Sequence, residues 1–399
     1  MASSWSCLHF LDLARLEQGG VVKAVLDLCG LLAEHGHDVT LATCDAADVP
    51  AGWKTGGNRT PKVITIEKSG WSNRLGSVVL SRRGLRAFED AAAAASVVHL
   101  HTPWLLANYQ VAPRLRRAGK PYVVSPHGML DDWSVRQRYA KKLVFLHAAG
   151  RRLFRHAAVV HCTAEGEREQ AARWAPLGDR GVVQCLPLDS ESSVPPPGPG
   201  PALKAFPQID PERPKVLFLS RLHPKKGVEF LIDACALLRD EGAPVQLLIA
   251  GPGESAYVQE LQQRAVDRGI ADLAHFLGMV RGLEKLSLIE LADAFALPTY
   301  QENFGLAITE VMAAGTPVVT TRGVDIWREI EQGGAAIADQ SARSFADHLK
   351  PFITSDEEAR SRGEQGRRFV EQWLDPTSVA AGYASLYRVA IERGVSRRA

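Results

Sequence analysis

Short apolar runs alternate with helix-patterned segments along almost the whole of this chain, and a single stretch breaks the rhythm. The first half carries "CLHFLDL" (7–13), "DVTLATC" (38–44), "KVITI" (62–66), "VVHLH" (97–101), "PYVVS" (121–125), "AVVHC" (158–162) and "GVVQC" (181–185), with a helix expected over about 20–35 and ended by Gly36. Runs that are apolar on both faces and separated by helices belong to a parallel sheet covered on both sides. The break is "LDSESSVPPPGPGPALKAFPQIDPERP" (188–214), crowded with proline, glycine and serine and without a period of its own, and it reads as a semi-rigid linker. The alternation restarts with "KVLFLS" (215–220), "VQLLIAG" (245–251), "LAHFLGMV" (273–280), "DAFALPT" (293–299), "TPVVTT" (316–321) and "AAIAD" (335–339). Helices are expected at about 226–241, 254–269, 304–314, 342–354, 356–373 and 377–393. The expected architecture is α/β, with two doubly wound Rossmann-like domains and a ligand cleft between them at the carboxyl ends of the strands. The boundaries read 1–188, a linker 189–214, 215–375, and a last helix, 376–399, packing back on the N-terminal domain.

Length and composition agree with two ordinary domains: 399 residues, 46% apolar and 23% charged. A net charge of +2 demands no polyanion, so nucleic acid is not an expected partner. No apolar run approaches the ~18 residues of a membrane span. The opening "MASSWSCLHFLDL" lacks a basic segment, a long apolar segment and a small-residue cleavage site, so no signal peptide is expected. The six cysteines form no C-x-x-C pair and no metal-ligand spacing. They read as structural thiols of a reducing cytoplasm.

The stretch "PTYQENFGLAITEVMAAGTPVVTT" (298–321) raises a chemical question. Its helix is apolar nearly all round and therefore buried, yet Glu310 stands in its middle and Glu302 just before its start. A buried carboxylate needs a partner. One reading is an ion pair with an Arg or Lys of the same domain; the other is a ligand's paired hydroxyls, such as a ribose. Asn303, Phe304, Gly305 and Leu306 form the turn that opens the helix, where unpaired N–H groups and the helix dipole attract phosphate. A diphosphate over that turn would put a sugar near Glu302 and a ribose beside Glu310.

These residues, E302-x7-E310 followed by "MAAGTPVV", resemble the signature of the retaining glycosyltransferases of family 4, which have the GT-B fold. Further resemblances follow in chain order: "EQGGVVKAVLDLCGLLAEHGHDVTLAT" with its Gly-Gly loop, "SPHGML", "LSRLHPKKG", "AGPGE" and "FLGMV". Asn303 in place of a glycine resembles a subset that builds bacterial surface polysaccharides, and Ser220 also departs from the family's usual glycine. The resemblance implies a donor site of Gly19, Gly20, Arg221, Lys226, Gly278, Met279, Val280, Asn303, Phe304, Gly305, Leu306 and Glu310. It implies catalytic roles for His127, beside the donor sugar, and for Glu302, Arg221 and Lys226. Two fixed cations, Arg221 and Lys226 (with Lys225 as the substitute), can offset charge on a leaving diphosphate, so no metal and no other cofactor is expected. Gly278, Met279 and Val280 would shelve the base; the same residues would equally end a core strand. His99 and His101 read either as strand ends satisfied by backbone or, for His101, as lining near the acceptor.

The activity implied is transfer of a hexose from a UDP- or GDP-linked sugar, with retention, to a hydroxyl of a glycan or lipid-linked saccharide. Cations crowd residues 114–155 (Arg114, Arg116, Arg117, Lys120, Arg136, Arg138, Lys141, Lys142, Arg151, Arg152, Arg155), interleaved with Leu143, Val144, Phe145, Leu153 and Phe154. That region fits either peripheral contact with an anionic membrane, on the inner face of the cytoplasmic membrane, or a solvated basic face over a packed apolar one. Among rivals, a nicotinamide-dependent oxidoreductase lacks its G-x-G-x-x-G after the first strand. An inactive nucleotide- or sugar-binding protein of the same fold, a phosphorylase and an epimerase remain the alternatives.

Overall fold

The computed structural model describes residues 5–55, 57–136, 142, 145, 150–188 and 197–396. It divides into two units, Met1–Pro187 with Leu374–Ala399, and Leu188–Trp373.

The first unit is built on a seven-stranded sheet: β1 (Ser6–Phe10), β2 (Asp38–Thr43), β3 (Lys62–Thr65), β4 (Val97–His101), β5 (Tyr122–Ser125), β6 (Val159–Cys162) and β7 (Gly181–Val183). The order is β3-β2-β1-β4-β5-β6-β7 and every pair is parallel. The strand order reverses between β1 and β4, which places a crevice at their carboxyl ends. The second unit repeats the plan with β8 (Lys215–Leu219), β9 (Gln246–Ala250), β10 (Ala274–Gly278), β11 (Ala294–Leu297), β12 (Val318–Thr321) and β13 (Ala336–Ala338), in the order β10-β9-β8-β11-β12-β13. Its switch point lies between β8 and β11. β5, β6, β9, β11 and β12 are buried along their whole length, as apolar residues on both faces require.

The covering helices follow the pattern of their apolar residues. Ala342–Thr354 begins where Ser341 Oγ accepts from Ser344 N–H, and it buries Phe345, Ala346, Leu349, Phe352 and Ile353 on one face. Each large side chain so buried stabilises by about 1.5–3 kcal/mol, and losing the serine cap costs about 1 kcal/mol. The terminal helix Pro376–Ser396 starts at Asp375, whose Oδ2 accepts from Ser378 N–H at 2.8 Å. Val379, Ala380, Tyr383, Leu386, Tyr387 and Ala390, spaced for one helix face, join the core of the first unit.

The structure departs from the sequence reading in three places. Of the stretch expected as a linker, residues 189–196 lie outside the described residues, and the remainder is built into the second unit. There Gly200–Ala205 forms a helix in which Ala202 N–H donates to Ser287 Oγ (3.0 Å), Ser287 Oγ donates to Gly198 O (2.6 Å), and Ala202 is fully buried. Pro201, within the first turn, lacks only an N–H that would be unpaired anyway, and one and a half turns are too short to show a period. Helices Gly282–Leu291 and Trp327–Gln332 were not anticipated. The helix expected from 304 begins at Leu306, because Gly305 takes a left-handed conformation (φ 67°). None of the six cysteines forms a disulfide among the described residues, and Cys7, Cys29, Cys162 and Cys235 are buried. No described helix is long and apolar enough to cross a membrane.

Candidate functional site

In the second unit the candidate residues gather at the carboxyl ends of β8, β10 and β11. After β8, Ser220 N–H donates to Ala250 O and Leu222 N–H to Pro252 O, lacing this loop to the one after β9. The approach is so close that a Cβ on Gly251 would lie 1.9 Å from Ser220 O. Arg221 lies between these two residues in the chain and is exposed. The next turn, Pro224–Lys226, is fixed from outside: Lys225 O accepts from Tyr300 N–H (2.8 Å) and Thr299 Oγ1 (3.2 Å). Gly227 closes it at φ 64°, where a Cβ would lie 2.3 Å from Pro298 O.

The consequence is that Lys226, 7% exposed, forms an ion pair with Glu302. Glu302 is itself held by its backbone, its N–H donating to Gly323 O and its carbonyl accepting from Asp325 N–H. Burial raises the Glu302 carboxyl, but the Lys226 ammonium, with Lys225 and the Asn303 N–H, outweighs it and leaves the group below the ordinary glutamate value. It is a carboxylate at neutral pH. Next to it the Asn303 side-chain oxygen is buried with no hydrogen-bond partner among the described residues, an acceptor in need of a donor. Phe304 is buried and stacks on Trp373, ring centroids 5.7 Å apart, which anchors the turn before helix Leu306–Ala313.

Glu310, 9% exposed on that helix, pairs with Lys285 of helix Gly282–Leu291 at 3.3 Å. Its burial is therefore explained by a cation of its own domain. Lys285 escaped sequence reasoning because it lies in a helix with little amphipathic signal. Gly278 ends β10 in the left-handed region (φ 68°); Met279 beside it is exposed and Val280 is buried, so one of the two apolar residues faces outward and the other inward.

In the first unit, Gly19 (φ 104°) precedes helix Gly20–Glu34, and Gly20 is exposed at its first position, where N–H groups have no intrahelical partner. His127 stands beyond β5 at φ 51°, a conformation uncommon for residues with a side chain. Glu167 holds this turn: its Oε1 accepts from Gly128 N–H (2.6 Å) and its Oε2 from Thr163 N–H and Oγ1. Glu167 was not anticipated either; a buried acid on a helix otherwise rich in surface charge leaves no pattern.

His99 and His101 are neither backbone-satisfied strand ends nor surface residues. They are fully buried within β4 and bonded to other side chains. His9, His99 and His101 bring ring nitrogens within 4.8 Å of one another, as a metal site would. Every one of the six nitrogens, however, is hydrogen-bonded to another side chain, so the cluster reads as a hydrogen-bond network rather than a ligand set.

Within the basic region, Arg138, Lys141, Leu143 and Val144 lie outside the described residues. Leu153 and Phe154 are core residues, and Phe145 packs on Tyr109 with ring centroids 4.7 Å apart. Arg116, Arg117, Arg136, Arg151, Arg152 and Arg155 are exposed. Among the described residues, Phe145, Leu153 and Phe154 thus face the protein and these six arginines face solvent, while Arg114, Lys120 and Lys142 are half-buried and donate to backbone carbonyls.

Comparison with known proteins converges on one chemistry. Residues 19–188 match the family described as Glycosyl transferase 4-like domain, and residues 201–369 match Glycosyl transferases group 1. The chain is 29% identical over 283 residues to a GDP-mannose-dependent alpha-(1-6)-phosphatidylinositol monomannoside mannosyltransferase of Mycobacterium tuberculosis, covering 68% of this chain and 70% of that protein. It is 26% identical over 400 residues to a glycogen synthase of the same organism, covering 94% and 92%. Among solved structures, HepE of Anabaena in complex with UDP and glucose superposes with a TM-score of 0.75 at 18% identity, over 96% of this chain and 98% of that one. Sucrose-phosphate synthase of Thermosynechococcus elongatus gives 0.73 at 20% identity, with the same coverage.

Proposed function

This chain belongs to the GT4-type glycosyltransferases, and from that premise we propose that it transfers a hexose from a nucleoside diphosphate sugar, with retention, to a hydroxyl of a glycan or lipid-linked saccharide. The observation that carries the reading is the grouping at the carboxyl ends of β8 and β11: exposed Arg221, buried Lys226 paired with ionised Glu302, and the helix start after Asn303. Cations fixed by backbone bonds and a helix N-terminus stabilise a departing diphosphate without reorganising. In this reading Arg221 and Lys226 hold the diphosphate, with no divalent metal needed, and Glu302 and the orphan Asn303 oxygen contact the sugar. Glu310 with Lys285 meets the ribose, and Met279 borders the base. His127 contacts a sugar hydroxyl.

The acceptor oxygen attacks the anomeric carbon on the face from which the diphosphate leaves. One glycosidic C–O bond forms as the C–O bond to phosphate breaks, and the acceptor's proton passes to the departing phosphate oxygen. The protein's part is positioning and charge stabilisation. Any contact with anionic lipid is electrostatic, through the exposed arginines between 116 and 155, since Leu153 and Phe154 are in the core and Phe145 packs on Tyr109.

The relatives' names put two bases first: the mycobacterial mannosyltransferase is GDP-mannose-dependent, and the HepE structure holds UDP. A thermal-shift screen against UDP, GDP, ADP and their sugar conjugates, with and without magnesium, tests the site directly. A ligand at a hundred times its Kd stabilises by about 2.7 kcal/mol. The expected result is a rise with one diphosphate, unchanged by magnesium; no shift with any of them removes the support for this site.

A further inference from the structure

Five histidines are buried on one face of the first sheet: His9 on β1, His99 and His101 on β4, His161 on β6, and His127 just after β5. Register places them together, since His9 lies opposite His99 and His101 opposite Ser125. The terminal helix covers this face with Tyr383 and Tyr387, both fully buried. Rings and hydroxyls form one unbroken series of hydrogen bonds. It runs from Gln184 O to His161 Nε2 (2.9 Å), and from His161 Nδ1 through Ser125 Oγ (2.7 and 2.6 Å) to His99 Nε2. From His99 Nδ1 it passes through Tyr387 OH (2.8 and 3.3 Å) to His9 Nε2. From His9 Nδ1 it reaches His101 Nε2 (3.0 Å), and from His101 Nδ1 it ends at His127 Nε2 (2.9 Å).

The direction of every bond follows from one end. A carbonyl oxygen only accepts, so His161 must carry its proton on Nε2 and accept at Nδ1. The one proton of Ser125 then points to His161, and Ser125 Oγ accepts from His99 Nε2–H. By the same step Tyr387 donates to His99 Nδ1 and accepts from His9 Nε2–H. His101 Nε2–H donates to His9 Nδ1, and His127 Nε2–H donates to His101 Nδ1. Neutral rings carry one proton each, and Cys7, whose thiol also bonds Tyr387, then serves that hydroxyl as a donor and leaves the direction unchanged. Tyr383, whose hydroxyl lies 3.3 Å from His161 Nε2, is a second acceptor there and leaves the direction unchanged.

We propose that this series is a positioning relay that fixes His127 as the Nε2–H tautomer, leaving Nδ1 as an obligate hydrogen-bond acceptor for a substrate hydroxyl. Nδ1 makes no hydrogen bond among the described residues and is not fully buried. A sugar group that can only accept, such as a fluorine in place of the hydroxyl, would be refused there. Only the identity of what Nδ1 faces rests on the function proposed above; the tautomer does not. Ser125, His99, Tyr387, His9 and His101 act through one another, and none is assigned contact with substrate.

The test is a long-range proton–nitrogen correlation spectrum of the full chain labelled with 15N-histidine at neutral pH, with His127 identified by its loss in His127→Gln. The expected result is a His127 ring protonated at Nε2 and bare at Nδ1. A charged ring, or a proton on Nδ1, overturns the relay. Ser125→Ala removes the link that carries direction from Gln184, so a population of His127 protonated on Nδ1 is expected to appear. Tyr387→Phe cuts the series elsewhere and is expected to do the same if the first variant does not fold. An unchanged tautomer in a folded variant of either kind also overturns the relay. With UDP-glucose or GDP-mannose as the probe, whichever is turned over, KM is expected to rise in Ser125→Ala by roughly three- to tenfold, the worth of one neutral hydrogen bond. A shifted tautomer with unchanged kinetics keeps the relay and takes His127 out of the sugar site.

Discussion

At the scale of single residues, two acids on one stretch of chain have separable tasks. Glu302 pairs with Lys226 just before the helix, and Glu310 pairs with Lys285 about one turn into it. Glu302→Gln is expected to lower kcat on the order of a hundredfold, the scale of losing one group that stabilises a transition state. Glu310→Gln is expected to raise KM for the nucleotide sugar with kcat little changed. Equal, near-wild-type kinetics for the two would sink the assignment. For Glu302 alanine is the poorer probe, because it takes the carboxylate from the buried Lys226, which costs ~3–5 kcal/mol of stability and mixes folding with function. Both acids were visible in the sequence, since each interrupts or borders an apolar run. Their partners were not equally so: Lys226 adjoins a glycine turn in a recognisable segment, whereas Lys285 reaches Glu310 only through the packing of two helices 20-odd residues apart. Whether a buried acid answers to a ligand or to a lysine is a question of tertiary contact.

The elements matter through what ties their ends together. Lys226 is placed by the turn that Gly227 closes, and that turn is pinned to the segment after β11 through Lys225 O. At φ 64°, with Pro298 O only 2.3 Å from where a Cβ would stand, Gly227→Ala must shift the turn. A strained, crowded position of this kind costs about 1–3 kcal/mol, and the displacement carries Lys226 away from Glu302. The expected outcome is a lower Tm together with a diphosphate affinity reduced at least tenfold, measured by calorimetry. Retained affinity would show that Lys226 is not what holds the ligand. The strands and long helices were legible beforehand because their apolar spacing is regular. Gly200–Ala205 was hidden by its prolines, and Gly282–Leu291 by the weak sidedness of its sequence. The short segments are held by specific hydrogen bonds to neighbours, as Ser287 holds Ala202, and such bonds have no period to read.

For the whole molecule, the buried histidines make a statement about acid. Burial pushes His9 and His127 down to about 3 and His161 to about 4; His99 and His101 also fall well below the ordinary value, through burial first and then the proximity of the other rings. Above pH 6.5 the rings are neutral whether the chain is folded or not, and this part of the stability is fully present. As pH falls below 6.5 the unfolded chain takes up protons that the folded chain refuses until about pH 4 to 3, so stability is lost across that window. Each ring contributes up to ~1.4 kcal/mol per pH unit. The transition of the first unit is expected to move steeply to lower temperature between pH 6.5 and 4 in calorimetric scans. A midpoint that stays level from pH 7 to 5 would mean that these rings are not held neutral.

The terminal helix has one more consequence, which belongs to the making of the protein rather than to its chemistry. Its face of Val379, Ala380, Tyr383, Leu386, Tyr387 and Ala390 completes the core of a sheet whose last strand ends at Val183. Between them the ribosome must produce all of Leu188–Trp373, at about 5–20 residues per second a wait of roughly 10–40 s. Throughout that interval helix Gly20–Glu34 can cover only its own part of that face, and the histidine-bearing part that Tyr383 and Tyr387 seal waits, while the second unit emerges with every strand it needs. The part synthesised first is therefore the part that can finish folding only after the terminal helix has been made.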